Sequence, residues 1–482
     1  MARRWLVLLV TSVAVFMALL DVTIVNIAFP DIRRSFANDS LADLSWVLNA
    51  YSILFAAALV PAGRLADRLG RKRLFVAGIL LFLAASVTSG LASSVAMLVA
   101  ARAVQAVGAA ILLPTSLSLV LPEFPVQQRA LATSVWAATG AIAAATGPSL
   151  GGVLVQWQSW RWVFFVNLAI GLPALLPATR LLRERRDEQA TGWPDAVGAL
   201  LLATGVGALA LGIVKGGDWG WASAKTVGSL AAAAVLSVLL AVRSARHPRP
   251  VFELSLFRTR SFAVANLGTL LFSVGFFALL LCNVLFLTMV WRYSALGAGL
   301  ALTPGPIMAA LAAPVAGRLA DRFGQRAVAI PGTVLFAAGA LLLAAGTTTT
   351  ARYWAEFLPA ALLTGCGIGL ALPAFSSAAV AELPRPRFAT GIAISSCSRQ
   401  LGAVIGIAGL VALLSTASPG QVIDAFHADW GLVGAAGLLA AVAAVALGRV
   451  RARQIEHVGS AVPALPTADP AAGPALTGGE RP

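Results

Sequence analysis

Residues 63–73 read GRLADRLGRKR, and residues 317–326 read GRLADRFGQR. Six residues recur letter for letter, each copy followed by one apolar residue, a glycine (Gly70, Gly324) and further basic residues. Chance does not repeat a hexamer in matched surroundings. Each copy closes an apolar run long enough to cross a bilayer, and the step from Gly63 to Gly317 is 254 positions. A spacing of that size predicts a chain whose first half is built again in its second.

The composition says what is duplicated. Of 482 residues, 59% are hydrophobic and 11% charged, against roughly 45–50% and about 25% in a soluble domain. The mean hydropathy is +0.86, with 45 glycines and 25 prolines, which excludes a soluble, disordered, collagenous or coiled-coil chain. Apolar stretches of spanning length fall at 5–29, 45–63, 74–93, 95–121, 130–155, 162–179, 195–214, 226–242, 262–290, 296–316, 327–346, 353–380, 388–415 and 429–448, where about 20 residues suffice. The first is too long, and carries Asp21 too deep, for a cleaved secretory signal.

Charge then sets the direction. Of 35 Lys+Arg, 26 lie before the first span or in every second connection after it, and Arg102 and Arg399 lie inside spans. By the positive-inside rule both termini are cytoplasmic, and the net charge of +15 reports topology rather than nucleic-acid binding. The repeated hexamer follows the second span of the first six and the second span of the last six. The predicted fold is therefore an all-α polytopic membrane protein of two pseudo-symmetric six-helix bundles plus an inserted helix pair, about fourteen transmembrane helices in all. The expected parts are an N-terminal bundle at 1–180, the pair with its cytoplasmic linkers at 181–261, a C-terminal bundle at 262–450, and a disordered cytoplasmic tail rich in Pro, Ala and Gly at 451–482.

With these motifs in place the chain resembles the major facilitator superfamily, and within it the drug:proton antiporters with fourteen helices. The two GRLADR segments match that family's loop motif. LDVTIVNIAFP at 20–30 looks like its first-helix signature, WRWVFFVN at 160–167 resembles the start of its sixth helix, and GAIAAATGPSLGG at 140–152 matches its antiporter motif. The fourth-helix signature has Arg102 and Gln105 in place but Ala106 where glycine is expected, with Gly108 after it. The resemblance implies alternating access, proton-coupled export of drug-like or amphiphilic small molecules, and a role in antibiotic resistance at the cell membrane. It also implies that Gly140, Gly147, Pro148, Gly151 and Gly152 seal the cavity against leak.

Charges inside spans are the sharpest functional candidates, because each costs about 2.5–3.5 kcal/mol at a helix centre on insertion scales. Four stand out: Asp21, Arg102, Arg399 and, near an outer end, Glu356. Asp21 reads as a proton-coupling or cation-recognising carboxylate whose ionisation Arg102 biases or for which it competes; the alternative is a static ion pair. Arg399, followed by Gln400, either lines the cavity or satisfies a broken helix end. Asn26, Asn49, Gln105, Asn167, Asn266 and Asn283 can bond across helices or face substrate. Gly63, Arg64, Asp67, Arg68, Gly70 and Arg71, with Gly317, Arg318, Asp321, Arg322 and Gly324, are predicted to latch the bundles at the cytoplasmic helix ends. Trp46, Tyr51, Trp136, Phe272 and Phe276 either pack or stack on a lipophilic cation.

Several chemistries are excluded by pattern. No phosphate-binding GxxxxGK[ST] loop and no HExxH occur, and GCGIG at 365–369 and GPSLG at 147–151, which fits GxSxG, both lie inside apolar runs rather than at a strand-to-helix turn. Cys282, Cys366 and Cys397 lie in apolar runs without metal or disulfide spacing. The sequence thus predicts a secondary transporter, not an enzyme, with no cofactor and no metal, acting as a monomer in the bilayer on a small molecule and protons. An importer, a narrow metabolite exporter and a non-transporting receptor of the same fold remain the alternatives.

Overall fold

The computed structural model describes residues 3–186, 192–384, 387–417 and 419–448, so the tail expected at 451–482 lies outside the described residues. The described chain is helical throughout, with no strand, and fourteen of its segments are long and apolar enough to span a membrane. In order these are α1 (Arg3–Ser35), α2 (Leu41–Leu69), α3 (Arg71–Gly90), α4 (Val95–Val120), α5 (Arg129–Trp157), α6 (Trp162–Leu181), α7 (Ala196–Trp219) and α8 (Ala224–Arg246). They continue as α9 (Arg260–Met289), α10 (Ala295–Leu302) with α11 (Pro304–Phe323), α12 (Gln325–Gly346), α13 (Leu358–Val380), α14 (Phe388–Ser415) and α15 (Val422–Ala446).

Each run singled out in the sequence falls on one of these helices, the twelfth beginning with a π-helical turn at Tyr353–Phe357 ahead of α13, and two other runs differ. The tenth run is two helices, because Pro304 cannot continue the ladder and starts a new one. The last helix begins at Val422 rather than 429, since Asp424 and His427 mask two turns that are helical all the same.

Local chemistry sets the helix ends. Ser40, Ser94, Ser223, Ser294 and Asp195 each accept the backbone N–H three residues on, as N-caps do. The two repeated segments make the same turn: Gly70 (φ 119°) and Gly324 (φ 88°) separate α2 from α3 and α11 from α12 in a backbone region that a side chain resists. We call the side of the molecule carrying these turns the loop face, and the opposite side the far face.

Packing repeats as well. A Cβ on Gly108 of α4 would lie 2.9 Å from the Phe82 backbone nitrogen of α3, and one on Gly367 of α13 would lie 2.5 Å from that of Phe336 on α12. Phe82 and Phe336 are themselves 254 positions apart. The close approach expected at position 106 is thus made by Gly108, two residues later. The halves meet along α2 and α14, and along α5 and α10. At the second seam a Cβ on Gly152 would come within 2.7 Å of the Ala295 carbonyl oxygen, so the backbones touch on the far face.

The inserted pair, α7 and α8, lies over the α2–α14 seam. Ile53 of α2, Ala210 of α7 and Val404 of α14 form one buried apolar cluster. Polar contacts tie the pair to α2 at both faces: Lys215 pairs with Asp43 at 3.0 Å, and the Arg68 guanidinium stands 4.1 Å over the Trp193 ring. Within the pair Asp195 accepts from Arg243 at 2.7 Å. Burial alone would raise the Asp195 carboxyl, but the Gly198 N–H and Arg243 outweigh it and hold it below the usual carboxylate range.

Candidate functional site

Asp21 sits at the middle of the N-terminal bundle, and four helices converge on it. It is 0% exposed and Arg102 is 1% exposed, so a full charge pair is held in the protein interior. Arg102 Nη1 of α4 donates to Asp21 Oδ2 and, at 2.7 Å, to Gln105 Oε1. Asp21 Oδ1 accepts from Gln105 Nε2 at 2.9 Å and from Asn167 Nδ2 of α6 at 3.1 Å. Both amides also donate to Ser86 Oγ of α3, at 2.8 and 3.2 Å. The carboxylate therefore has three donors, one of them a cation, which is what a buried charge requires.

Arg102 has a second set of contacts. Its Nε donates to the Val47 carbonyl at 3.2 Å, and its guanidinium lies 4.2 Å from the Tyr51 ring centroid and 5.7 Å from that of Phe164. Rings of this kind attract a guanidinium through their faces. Tyr51 and Phe164 thus already hold a cation that belongs to the protein. Arg102 can thus be held by α2 and α6 independently of Asp21.

The structure brings together Asp21, Arg102, Gln105 and Asn167 from the residues the sequence singled out. It leaves others outside. Asn26 donates to the Val22 carbonyl of its own helix. Arg399 on α14 is half-buried and has no hydrogen-bond or ion-pair partner among the described residues. Asn266 accepts from Ser398 at 3.1 Å, and Asn283 accepts from Trp430 at 2.9 Å. Trp136 donates to Ser116 at 3.0 Å, and Phe272 packs on Phe336 with centroids 4.6 Å apart. Glu356 lies at the far face, where it accepts from the Thr348 N–H at 2.9 Å.

Two site residues escape sequence reading. Ser86 is one small polar residue in a long apolar run, with no mark to separate it from Ser89 or Thr88. Asp429 corrects the count of four enclosed charges: it is 0% exposed on α15, beside the Cys282 thiol of α9, and neither carboxylate oxygen has another hydrogen-bond partner among the described residues. Its place at the very start of the last apolar run disguised it as a helix-end charge.

The glycine-rich segment of α5 at 140–152 packs against α1. A Cβ on Gly140 would meet Leu19 at 2.9 Å, and one on Gly151 would meet Ile24 at 2.9 Å; Gly147 abuts Thr23. Gly299 of α10 abuts the Pro148 carbonyl. These contacts hold α5 against both bundles at once. Beyond them, on the far face, a cavity of about 980 Å³ opens among residues that include Asp31, Arg33, Arg34 and Arg292.

The loop-face segments are not equivalent. In the first, Asp67 accepts from Arg71 at 2.8 Å, Arg64 donates to the Arg249 carbonyl, and Glu184 accepts the Lys72 and Arg73 N–H groups at 3.1 Å each. Glu184 thereby caps the start of α3. In the second, Asp321 is exposed and has no ion pair among the described residues, and a Cβ on Gly317 would meet nothing within 4 Å.

Comparison with known proteins bears on the whole chain. The family model described as Major Facilitator Superfamily matches residues 11–309 and 265–473. The multidrug resistance protein Stp of Mycobacterium tuberculosis is 36% identical over 85% of this chain and 76% of its own length. The tetracenomycin C resistance and export protein of Streptomyces glaucescens is 31% identical over 89% and 78%, and the multidrug export protein EmrB of Escherichia coli is 30% identical over 82% and 77%. Among solved structures, a peptide transporter POT in complex with sulfate superposes with a TM-score of 0.67 at 17% identity, covering 93% of this chain and 96% of the other.

Proposed function

The chain belongs to the Major Facilitator Superfamily, and on that premise we propose that it is a proton-coupled exporter of drug-like or amphiphilic small molecules. It is a multi-pass protein of the plasma membrane, and in this reading it works as a monomer and makes or breaks no covalent bond. The observation that carries the proposal is the buried Asp21–Arg102 pair, knit by Gln105, Asn167 and Ser86 across four helices.

A proton on Asp21 removes the charge that Arg102 answers and turns one acceptor oxygen into a donor. Arg102 then rests on the Val47 carbonyl and the Tyr51 ring, contacts it already makes, while Gln105 and Asn167 retain Ser86. α1 is released from α4 and α6 while the Arg102, Gln105 and Asn167 donors that held Asp21 each keep another partner. Since α1 also carries the α5 contacts at Leu19, Thr23 and Ile24, its release reaches the far-face seal between α5 and α10.

The orientation that follows from the Lys/Arg distribution puts the loop face and both termini in the cytoplasm. The form with α5 and α10 in backbone contact is then shut to the outside. The names of the relatives, resistance and export proteins for antibiotics and mixed drugs, support export over import.

The test uses inside-out vesicles with an acidic lumen and a lumenal pH dye. Amphiphilic compounds of both charge signs are added to wild type and to Asp21→Asn. Compound-dependent proton release that is lost, by at least tenfold, in Asp21→Asn is the expected result. Full coupled transport by Asp21→Asn would overturn the assignment of Asp21.

A further inference from the structure

One face of α14 changes character along its length. Positions 392, 396, 399, 403, 407 and 410 share a face at helical spacing. Ile392, near the loop face, is 49% exposed, Arg399 is half-buried, and Ala403, Ile407 and Leu410 are 0%, 3% and 0% exposed. The neighbouring faces are occupied along their length: Gly402 and Gly406 lie against the Leu270 and Val274 carbonyls of α9, and Cys397 lies against the Ala56 carbonyl of α2. Exposure along the face at 392–410 thus falls from the loop face to Arg399 and vanishes beyond it, as along the wall of a cleft open at the loop face. The guanidinium stands at the closed end.

The charges inside the spans near that cleft do not balance. Asp21 is answered by Arg102. A second enclosed carboxylate, Asp429, is on α15 beside the Cys282 thiol of α9, with His427 two residues nearer the far face. His427 is engaged with the Thr347 carbonyl at 2.9 Å. Arg399 has no acid of its own among the described residues, and next to it Gln400, 4% exposed, also lacks a hydrogen-bond partner there. A lone guanidinium at membrane depth is costly unless a ligand or water completes it.

We infer that Arg399 is the recognition group for an acidic headgroup, and that the cleft takes amphiphiles bearing a carboxylate, sulfonate or acidic phenol in preference to lipophilic cations. This inference rests on the transport reading above and names its substrate class. The planar guanidinium matches a carboxylate through two parallel N–H donors, and the Gln400 amide adds a further donor. Apolar Ile392 and Phe388, both exposed on the way in, meet the tail of the same molecule. A cation in this place faces an unneutralised positive charge in a poorly screened site.

The experiment compares two fluorophores with the same pyrene tail, one ending in a carboxylate and one in trimethylammonium. Equilibrium binding to the purified, reconstituted chain is read by energy transfer from its tryptophans, with no gradient applied. The carboxylate is expected to bind at least tenfold tighter. Arg399→Gln is expected to erase that preference while leaving the melting temperature within a few degrees, and Arg399→Lys to retain its sign with a smaller ratio. Equal or tighter binding of the cation, or a preference that survives Arg399→Gln, overturns the inference. Intact preference without any proton-driven export in vesicles would sink the transport reading and leave the cleft assignment standing.

Discussion

The two halves share one scaffold and differ at its centre. Through the 254-residue step, Asp21 corresponds to Gly275 and Ser86 to Ala340; through the paired glycines Gly108 and Gly367, Arg102 corresponds to Ala361 and Gln105 to Thr364. In the first half that centre is a charged network. In the second it is filled by Phe336, whose ring lies 3.0 Å from where a Gly275 Cβ would stand, and by Phe272 tilted against it. Duplication preserved the backbone contacts, which tolerate no side chain, and left the interior free to diverge. One half came to hold a buried ion pair and the other a packed hydrocarbon core.

The sharpest way to break this contrast is to remove the cation. Arg102→Ala leaves Asp21 buried and uncompensated and is expected to destabilise the protein by about 3–5 kcal/mol, read as a fall in melting temperature after purification. The matched Thr364→Val change removes only a bond to its own helix carbonyl and should cost about 1 kcal/mol or less. Comparable losses would mean that the two centres do not differ in kind.

Next in size are the glycines the halves share. Gly108→Val and Gly367→Val both force a methyl-bearing carbon into backbone and are each expected to cost about 1–3 kcal/mol. Similar melting shifts in the two variants would support a common scaffold. Ser86→Ala comes third, at about 1 kcal/mol. It should also move the pH midpoint of transport, because Gln105 and Asn167 lose the group they share, whereas Ala340→Ser should move neither quantity.

The smallest expected effects are at the loop face. Asp67→Asn loses the exposed Arg71 pair, worth about 0.2–1 kcal/mol, and is expected to lower thermal stability measurably. Asp321→Asn, with no ion pair to lose among the described residues, is expected to leave it unchanged. A larger shift from Asp321→Asn would invert the comparison.

Most of the scaffold was legible in the sequence, because hydrocarbon length and the repeated hexamer are local signals. The meeting of Asp21 with Arg102 was partly legible, since an enclosed charge needs a partner and the chain has few. Ser86 was not, because hydrogen-bond geometry across helices leaves no trace in composition. Asp429 was hidden by position: at the edge of an apolar run a carboxylate looks like a cap. The pair α7–α8 was visible as two spans, but its seat over the α2–α14 seam depends on small residues such as Ala210 and Gly217, which read only as hydrophobic filler.

The break between α10 and α11 has a mechanical meaning. Pro304 and Pro306 bring no backbone N–H, so the ladder loses two rungs where the Leu300 and Leu302 carbonyls would be gripped, and the Thr303 N–H takes up Leu300 instead. Bending stiffness in a helix comes from those rungs. The eight residues of α10, pinned to α5 by Gly152 and Gly299, and the twenty of α11 are therefore two rods on a joint rather than one beam. Torque applied at the loop-face end of this span is absorbed at Thr303 before it reaches the far-face contact of α10 with α5.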